Sequence, residues 1–243
     1  MSSRKLKILL SLTCAVAAVV LLGWRVRSAY HESQSRSCEN RLKAIWLALN
    51  SYEASHGTFP AAYLCDKDGK PVNSWRAEVV PSFWYHFRTG RSDAGEPGYD
   101  YSEPWNGPKN RTRKLEEAHA YPFECPSDDH QKPAFTDYVG VVGPTTMWTG
   151  CEPVKPAADG SDNDKILVIE VINSDIRWME SRDLTLEEAL NNIQPKKGIG
   201  IGSRHGDGIH YVTVGGDVRT LDPHIDRESL RKLFVRDSAI GGR

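Results

Sequence analysis

The 243-residue chain predicts an α+β fold in which one long N-terminal helix packs on an antiparallel β-sheet. Three observations carry this. Leu42, Ile45, Trp46, Leu49 and Tyr52 fall at i, i+3, i+4, i+7 and i+10, a single apolar stripe at helical period. Beyond Tyr121 the pattern turns to β-rich runs, chief among them residues 165–172 (KILVIEVI), which are apolar on both alternating faces as a central strand is. Gly215-Gly216, between the β-rich runs 209–214 and 217–221, is a hairpin signal. A striped helix and a sheet each need an apolar cover, and each offers one to the other.

The elements follow in order. Residues 8–24 (ILLSLTCAVAAVVLLGW) carry no charge, with Arg4, Lys5 and Lys7 before them and Arg25 and Arg27 after. A spanning helix needs roughly 17–25 apolar residues, so the run is at the short end of that range. It fits an uncleaved anchor over residues 1–29 better than its two rivals. A cleaved signal peptide lacks its A-x-A site here, and a soluble core helix would be broken by polar residues. Neither Pro nor Gly occurs from Arg25 to His56, so nothing stops the anchor from running on into the striped helix of residues 30–56. Such a rod would approach 70 Å at about 1.5 Å per residue. Gly57 and Pro60 end it. Residues 61–74 read as a loop around Asp66-Lys67-Asp68-Gly69, and residues 75–87 are mixed, with large aromatics and Pro81. Residues 88–114 are polar, rich in Gly and Pro, and locally basic. Residues 135–142 read as a strand. Thr185-x-x-Glu188 is a capping box that opens a short helix stopped by Pro195, and residues 226–234 form a last helix. The domain organisation is thus an anchor over 1–29 and one ectodomain over 30–243.

Composition narrows the class. With 39% hydrophobic and 26% charged residues the chain is neither wholly disordered nor a polytopic membrane protein. Lys and Arg number 31 against 32 Asp and Glu, so no global basic excess points to nucleic acid. Cys14 lies in the apolar run. Cys38, Cys65, Cys125 and Cys151 form an even set in the soluble part, which fits two disulfides in an oxidising compartment; the alternative is four reduced cysteines in a cytosolic domain. Basic flanks on both sides of the run leave its orientation to these cysteines, and they place the ectodomain outside the cytoplasm.

The order of elements resembles type IV pilins and pseudopilins, including those of type II secretion. Local motifs sharpen the likeness: Cys38-x-Asn40-x-Leu42-Lys43-x-Ile45-x-Leu47-Ala48-Leu49, Gly57-Thr58-Phe59-Pro60, Asp66-Lys67-Asp68-Gly69-Lys70-Pro71 and Ser74-Trp75-Arg76. Glu103-Pro104-Trp105-Asn106, Cys125-Pro126-Ser127-Asp128, Tyr138-Val139-x-Val141-Val142-Gly143-Pro144, His205-Gly206-Asp207-Gly208 and Gly216-Asp217-Val218-Arg219 follow. Together, over roughly residues 38–222, they resemble the bacterial DUF1559 family. The Gly-Phe-Thr-Leu-x-Glu processing signal of family prepilins is absent, and Gly23 stands at the end of the apolar run. The resemblance therefore implies a pseudopilin-like ectodomain on an ordinary anchor. It also implies the pairing: Cys38 and Cys125 sit in family-like motifs and Cys65 and Cys151 do not, so Cys38–Cys125 and Cys65–Cys151 are expected.

Candidate chemistry is sparse. His205, Asp207 and His210 cluster near the hairpin and offer a metal two imidazoles and a carboxylate, although glycine turns explain the same spacing. Asp159-x-Ser161-x-Asn163 begins like a calcium loop, but Asp164 holds the position that needs glycine. Glu170 sits in the apolar strand as a buried carboxylate, expected to pair with Arg177 or Arg204. Trp84, Tyr99, Tyr101 and Trp105 interleave with Arg111 and Arg113, a pattern that could bind a polyanion or glycan by charge and stacking. A cysteine nucleophile near His130 competes with disulfide pairing. No Gly-x-Ser-x-Gly, phosphate loop or H-E-x-x-H occurs.

The sequence thus points to a non-enzymatic protein held by a single pass in the inner membrane, with its ectodomain outside the cytoplasm. Its partners are the membrane and other envelope proteins, pseudopilin-like homologues among them. No cofactor is expected, with calcium at residues 159–163 as the alternative. The alternative is an extracytoplasmic binding module for a glycan or metal ion, and an envelope hydrolase comes third.

Overall fold

The computed structural model describes residues 3–80, 99–111, 121–127 and 134–237, with side chains from residue 15 onward. Helix α1 runs unbroken through Ser3–His56, 54 residues, and closes where Gly57 N–H donates to Glu53 O at 2.7 Å. Its two ends live in different surroundings. Val16, Val19, Val20, Leu21, Leu22, Trp24 and Val26 are 59–70% exposed, whereas Cys38, Leu42, Ile45 and Leu49 are fully buried. Among the described residues no helix is long and apolar enough to cross a membrane. Residues 8–14 of the apolar run lie outside those with described side chains.

The main sheet is antiparallel in the order β3 (Tyr138–Val139), β5 (Ile166–Ile172), β8 (Ile209–Thr213), β9 (Val218–Leu221), with β7 (Gly200–Ile201) also paired to β5. Every residue of β5 is buried, as its two-faced apolar pattern predicts. One face packs on α1: Leu42, Ile45 and Leu49 meet Val168, Val212 and Val214. The other face packs on two short helices, α2 (Leu186–Asn191) and α3 (Arg227–Phe234), through Leu190, Leu230 and Phe234 against Ile169, Val171 and Tyr211. The sheet is therefore the middle of three layers.

Local signals account for much of this. The Thr185 capping box forms as predicted, and Asp226 caps α3 by accepting from Glu228 and Ser229 N–H. The β8–β9 hairpin forms around Gly215-Gly216, although its link spans residues 214–217 instead of two residues. Gly216 has φ +91, and a Cβ there would lie 2.4 Å from the Trp46 ring, so the turn is glycine because α1 lies on it. Trp46 Nε1 donates to Val214 O at 3.0 Å and Lys43 Nζ to Gly216 O at 2.7 Å, fixing the helix across the turn.

Three expectations are corrected. Residues 61–74 are a hairpin and not a loop: β1 (Tyr63–Cys65) pairs with β2 (Pro71–Ser74), and Asp66 Oδ1 accepts from Asp68 and Lys70 N–H across the turn. The strand over 135–142 breaks at Gly140, where a Cβ would meet the Trp148 ring at 2.8 Å. After the break, β4 (Val141–Val142) leaves the main sheet and pairs parallel with β6 (Leu184–Thr185), an exception to the antiparallel expectation. Both expected disulfides form. Cys38–Cys125 ties α1 to the segment before the sheet, and Cys65–Cys151 ties the β1–β2 hairpin to residue 151.

Candidate functional site

On the α1-facing side of the sheet the apolar rows end in polar residues. From Val214, just past β8, through Val212 the row ends in His210; along β5, Val168 is followed by Glu170. The loop 202–208 between β7 and β8 brings His205 and Asp207 beside them, and α1 contributes Ser35 and Glu39 one turn before its buried stripe. Glu170, His205 and His210 are 0–3% exposed, while the side chains of Asp207 and Glu39 are about half exposed.

The hydrogen bonds form a chain. His205 Nε2 faces Glu170 Oε1 at 3.1 Å, and its Nδ1 faces Asp207 Oδ1 at 2.5 Å. Ser35 Oγ–H donates to Asp207 Oδ2, and His210 N–H donates to Glu170 Oε2 at 3.3 Å. The His205 and His210 rings stack at 4.4 Å. Burial pushes the Glu170 carboxyl above its ordinary pKa despite His205. Burial also works against charge on His205, but bonding to Glu170 and Asp207 outweighs it and raises this ring's pKa. Asp207 is lowered: burial opposes its charge, and Ser35 and His205 overcome that opposition. Burial, then the neighbouring His205, lowers His210.

The cluster opens on a groove of about 740 Å³ between α1 at Trp24, Arg27 and His31 and the loop at Arg204–Asp207. Among the described residues, Glu39, Glu170 and Asp207 pair with these two histidines and with no Lys or Arg. The expected Arg partners of Glu170 are engaged elsewhere: the Arg177 guanidinium lies over the Phe135 ring and Arg204 donates to Asn173 Oδ1 at 3.0 Å. Arg residues are long enough to reach solvent or other acceptors, whereas the buried rings beside Glu170 have nowhere else to go.

Asp159 Oδ1 accepts from Ser161 N–H at 3.0 Å in a local turn, and Asn163 packs against Gly160 and Gly215, so 159–163 gathers no oxygen cage. Of the aromatic and basic loop, Trp84 and Arg113 lie outside the described residues, as does His130. Tyr101 donates to Ala77 O, Tyr99 donates to Asn73 Oδ1, their rings meet edge-on at 5.0 Å, and Trp105 packs against the core. Arg111 lines a small pocket with Trp105 and Arg177. All four soluble cysteines are in disulfides.

Sequence reasoning missed Ser35 and Glu39. Ser35 stands three residues before Cys38 and seven before Leu42, a polar residue on the apolar stripe, and that was the available signal. The sequence carries no local sign of a second buried ionic pair either: Arg76 Nη1 meets Asp183 Oδ1 at 2.6 Å with both side chains fully enclosed.

A long helix laid on an antiparallel sheet, tied there by Cys38–Cys125, with a histidine–carboxylate cluster at the edge of the contact, defines a disulfide-bonded α+β protein. The chain belongs to the DUF1559 family: the family described as "Protein of unknown function (DUF1559)" matches over residues 35–166. No curated protein and no solved structure matches the chain.

Proposed function

We propose that this chain is a non-enzymatic envelope protein, anchored by residues 1–29 in the inner membrane. Its pseudopilin-like ectodomain stands outside the cytoplasm and acts through contacts with other envelope proteins. The observation that carries this reading is the asymmetry of α1. The stretch 16–26 presents Val and Leu side chains to the surroundings, and the same rod is buried from residue 38. Large contiguous apolar exposure calls for a cover, and a bilayer is the cover that the uncharged run with basic flanks suits. Two disulfides support an oxidising compartment.

The test is fractionation of cells producing the full chain. It should stay with membranes through an alkaline carbonate wash, be released by detergent, carry residues 1–29 by intact mass, and be cut by protease in spheroplasts. A soluble chain that begins after residue 28 refutes the anchor. In-cell crosslinking should then capture envelope proteins. The second reading, an extracytoplasmic binding module, draws on the cluster of His205, Asp207 and His210.

A further inference from the structure

His205 is buried between two carboxylates, one at each ring nitrogen, Glu170 at Nε2 and Asp207 at Nδ1. A neutral imidazole carries one N–H, so it satisfies only one of them. The other contact needs either a second proton on the ring or a cation between nitrogen and carboxylate. His210 is fully buried and worse provided for. Its Nδ1 has no partner among the described residues, and its Nε2 lies 3.5 Å from Ser35 Oγ, 3.6 Å from Asp207 Oδ2 and 3.7 Å from Glu39 Oε1. These separations are long for hydrogen bonds. The two carboxylate separations, 3.6 and 3.7 Å, are close to the spacing of donor atoms around a tetrahedral ion, roughly 3.3 Å apart when the bonds are about 2.0–2.1 Å, whereas His205 Nδ1 and Asp207 Oδ1, now 2.5 Å apart, would have to part to admit the ion.

We propose that His205 Nδ1, Asp207 and His210 Nε2, whose donor atoms lie within 4.8 Å of one another, bind one divalent transition-metal ion of the zinc class, with half-exposed Glu39, 3.7 Å from His210 Nε2, swinging in to complete the set and Glu170 as the outer partner that orients His205. Two imidazoles and two carboxylates are the donor set that suits such an ion; calcium prefers six to eight oxygens. Glu170 on the far nitrogen of His205 puts the N–H at Nε2 and turns the Nδ1 lone pair to the ion, the usual carboxylate–histidine–metal relay. Three carboxylates with no Lys or Arg partner among the described residues favour a cation. Half-exposed Asp207 and Glu39, at the groove edge, give it a way in. The ligands come from α1, the 202–208 loop and β8, so the ion would clamp the helix to the sheet beside Cys38–Cys125.

This inference deepens the binding-module reading and rests on the cluster, not on membrane attachment. A zinc-binding chain that is soluble refutes the anchor alone, and a membrane-held chain that takes no zinc refutes the site alone. The experiment is calorimetric titration of ZnCl2 into the untagged full chain in detergent micelles after chelator dialysis, repeated with CoCl2 read by visible absorption. One equivalent should bind, cobalt should give the intense bands of a tetrahedral site, and zinc should raise Tm. Asp207→Asn and Glu39→Gln, both half exposed, should each weaken binding at least tenfold with the circular dichroism of the wild type. Glu170→Gln should weaken it about 10–100-fold. A wild-type chain that takes up neither ion overturns the site and leaves His205 as an imidazolium held by two carboxylates. Wild-type affinity in both the Asp207 and Glu39 variants overturns it as well.

Discussion

Two buried ionic networks among the described residues are built to opposite plans. Around Arg76 every guanidinium nitrogen has an acceptor: Nη1 reaches Asp183 at 2.6 Å, Nε reaches Trp178 O at 3.0 Å, and Nη2 reaches Glu180 O at 3.2 Å and Arg182 O at 2.7 Å. Asp183 Oδ1 takes Gly140 N–H at 2.8 Å and the Trp75 indole at 3.3 Å as well. That network is sealed from solvent, although Asp183 Oδ2 has no hydrogen-bond partner among the described residues, and its work is to pin residues 178–183 and the Gly140 break to the helical turn over 75–80. Around His205 the carboxylates outnumber the cationic partners, His210 has no short hydrogen bond from its ring, and one edge faces a groove. A carboxylate enclosed with its own guanidinium stabilises an arrangement; carboxylates without one, open to a groove, are placed to take up something else.

The comparison is broken or sharpened by variants, taken from the largest effect down. Replacing Cys38 and Cys125 by Ala frees α1 beside the open cluster. The bridge closes a loop with a sequence separation of 87, so its loss should cost roughly 4–5 kcal/mol in chemical denaturation. The same variant should loosen the His205 cluster and leave the Arg76–Asp183 network, which lies elsewhere on the chain, intact in its hydrogen-exchange protection. Equal loss of protection at both would mean that the two do not behave as separate units.

Arg76→Met strands a buried carboxylate and should cost on the order of 3–5 kcal/mol by urea unfolding. Asp207→Asn, its counterpart in the open network, leaves a half-exposed amide and should cost within about 1 kcal/mol. Similar costs for the two would erase the distinction between sealed and open.

Gly216→Ala tests how firmly α1 lies across the hairpin that carries His210. The new Cβ would meet the Trp46 ring at a backbone φ of +91, and strain with overpacking should cost about 1–3 kcal/mol. A neutral result would show that the helix rides loosely on the turn.

The smallest effect belongs to an exposed pair that resembles neither network. Lys109, with help from Ser102, holds Asp100 down to about 2. Lys109→Met should move its midpoint up toward the usual carboxylate range in an NMR titration. Because the folded pKa is depressed, any stability linked to Asp100 is present above the unfolded value and lost as pH falls through about 2. At an exposed site that change in stability should be too small to see by denaturation. An unmoved midpoint would show that Ser102 alone sets it.

What was readable in the chain was local. The α1 stripe, the Thr185 capping box, the glycine hairpin and the two-faced apolar strand are short-range patterns, and each is set by backbone geometry, capping or side-chain period within a few residues. The disulfide pairing came from likeness to a family, since four cysteines at their spacings allow three pairings. The β1–β2 hairpin reads as a loop because its strands are only three and four residues long, too short to show a period. The parallel β4–β6 pair and the break at Gly140 depend on Trp148 and Asp183 arriving from elsewhere. The cluster depends on distance most of all. Ser35 and Asp207 are 172 residues apart, and the sequence suggests an arginine for Glu170 because no local pattern says which strand end meets which helix turn. Residue identity sets what each group can bond to. Which groups meet is settled by how the apolar faces of α1, β5 and β8 bury one another, a long-range packing outcome that no window of sequence contains.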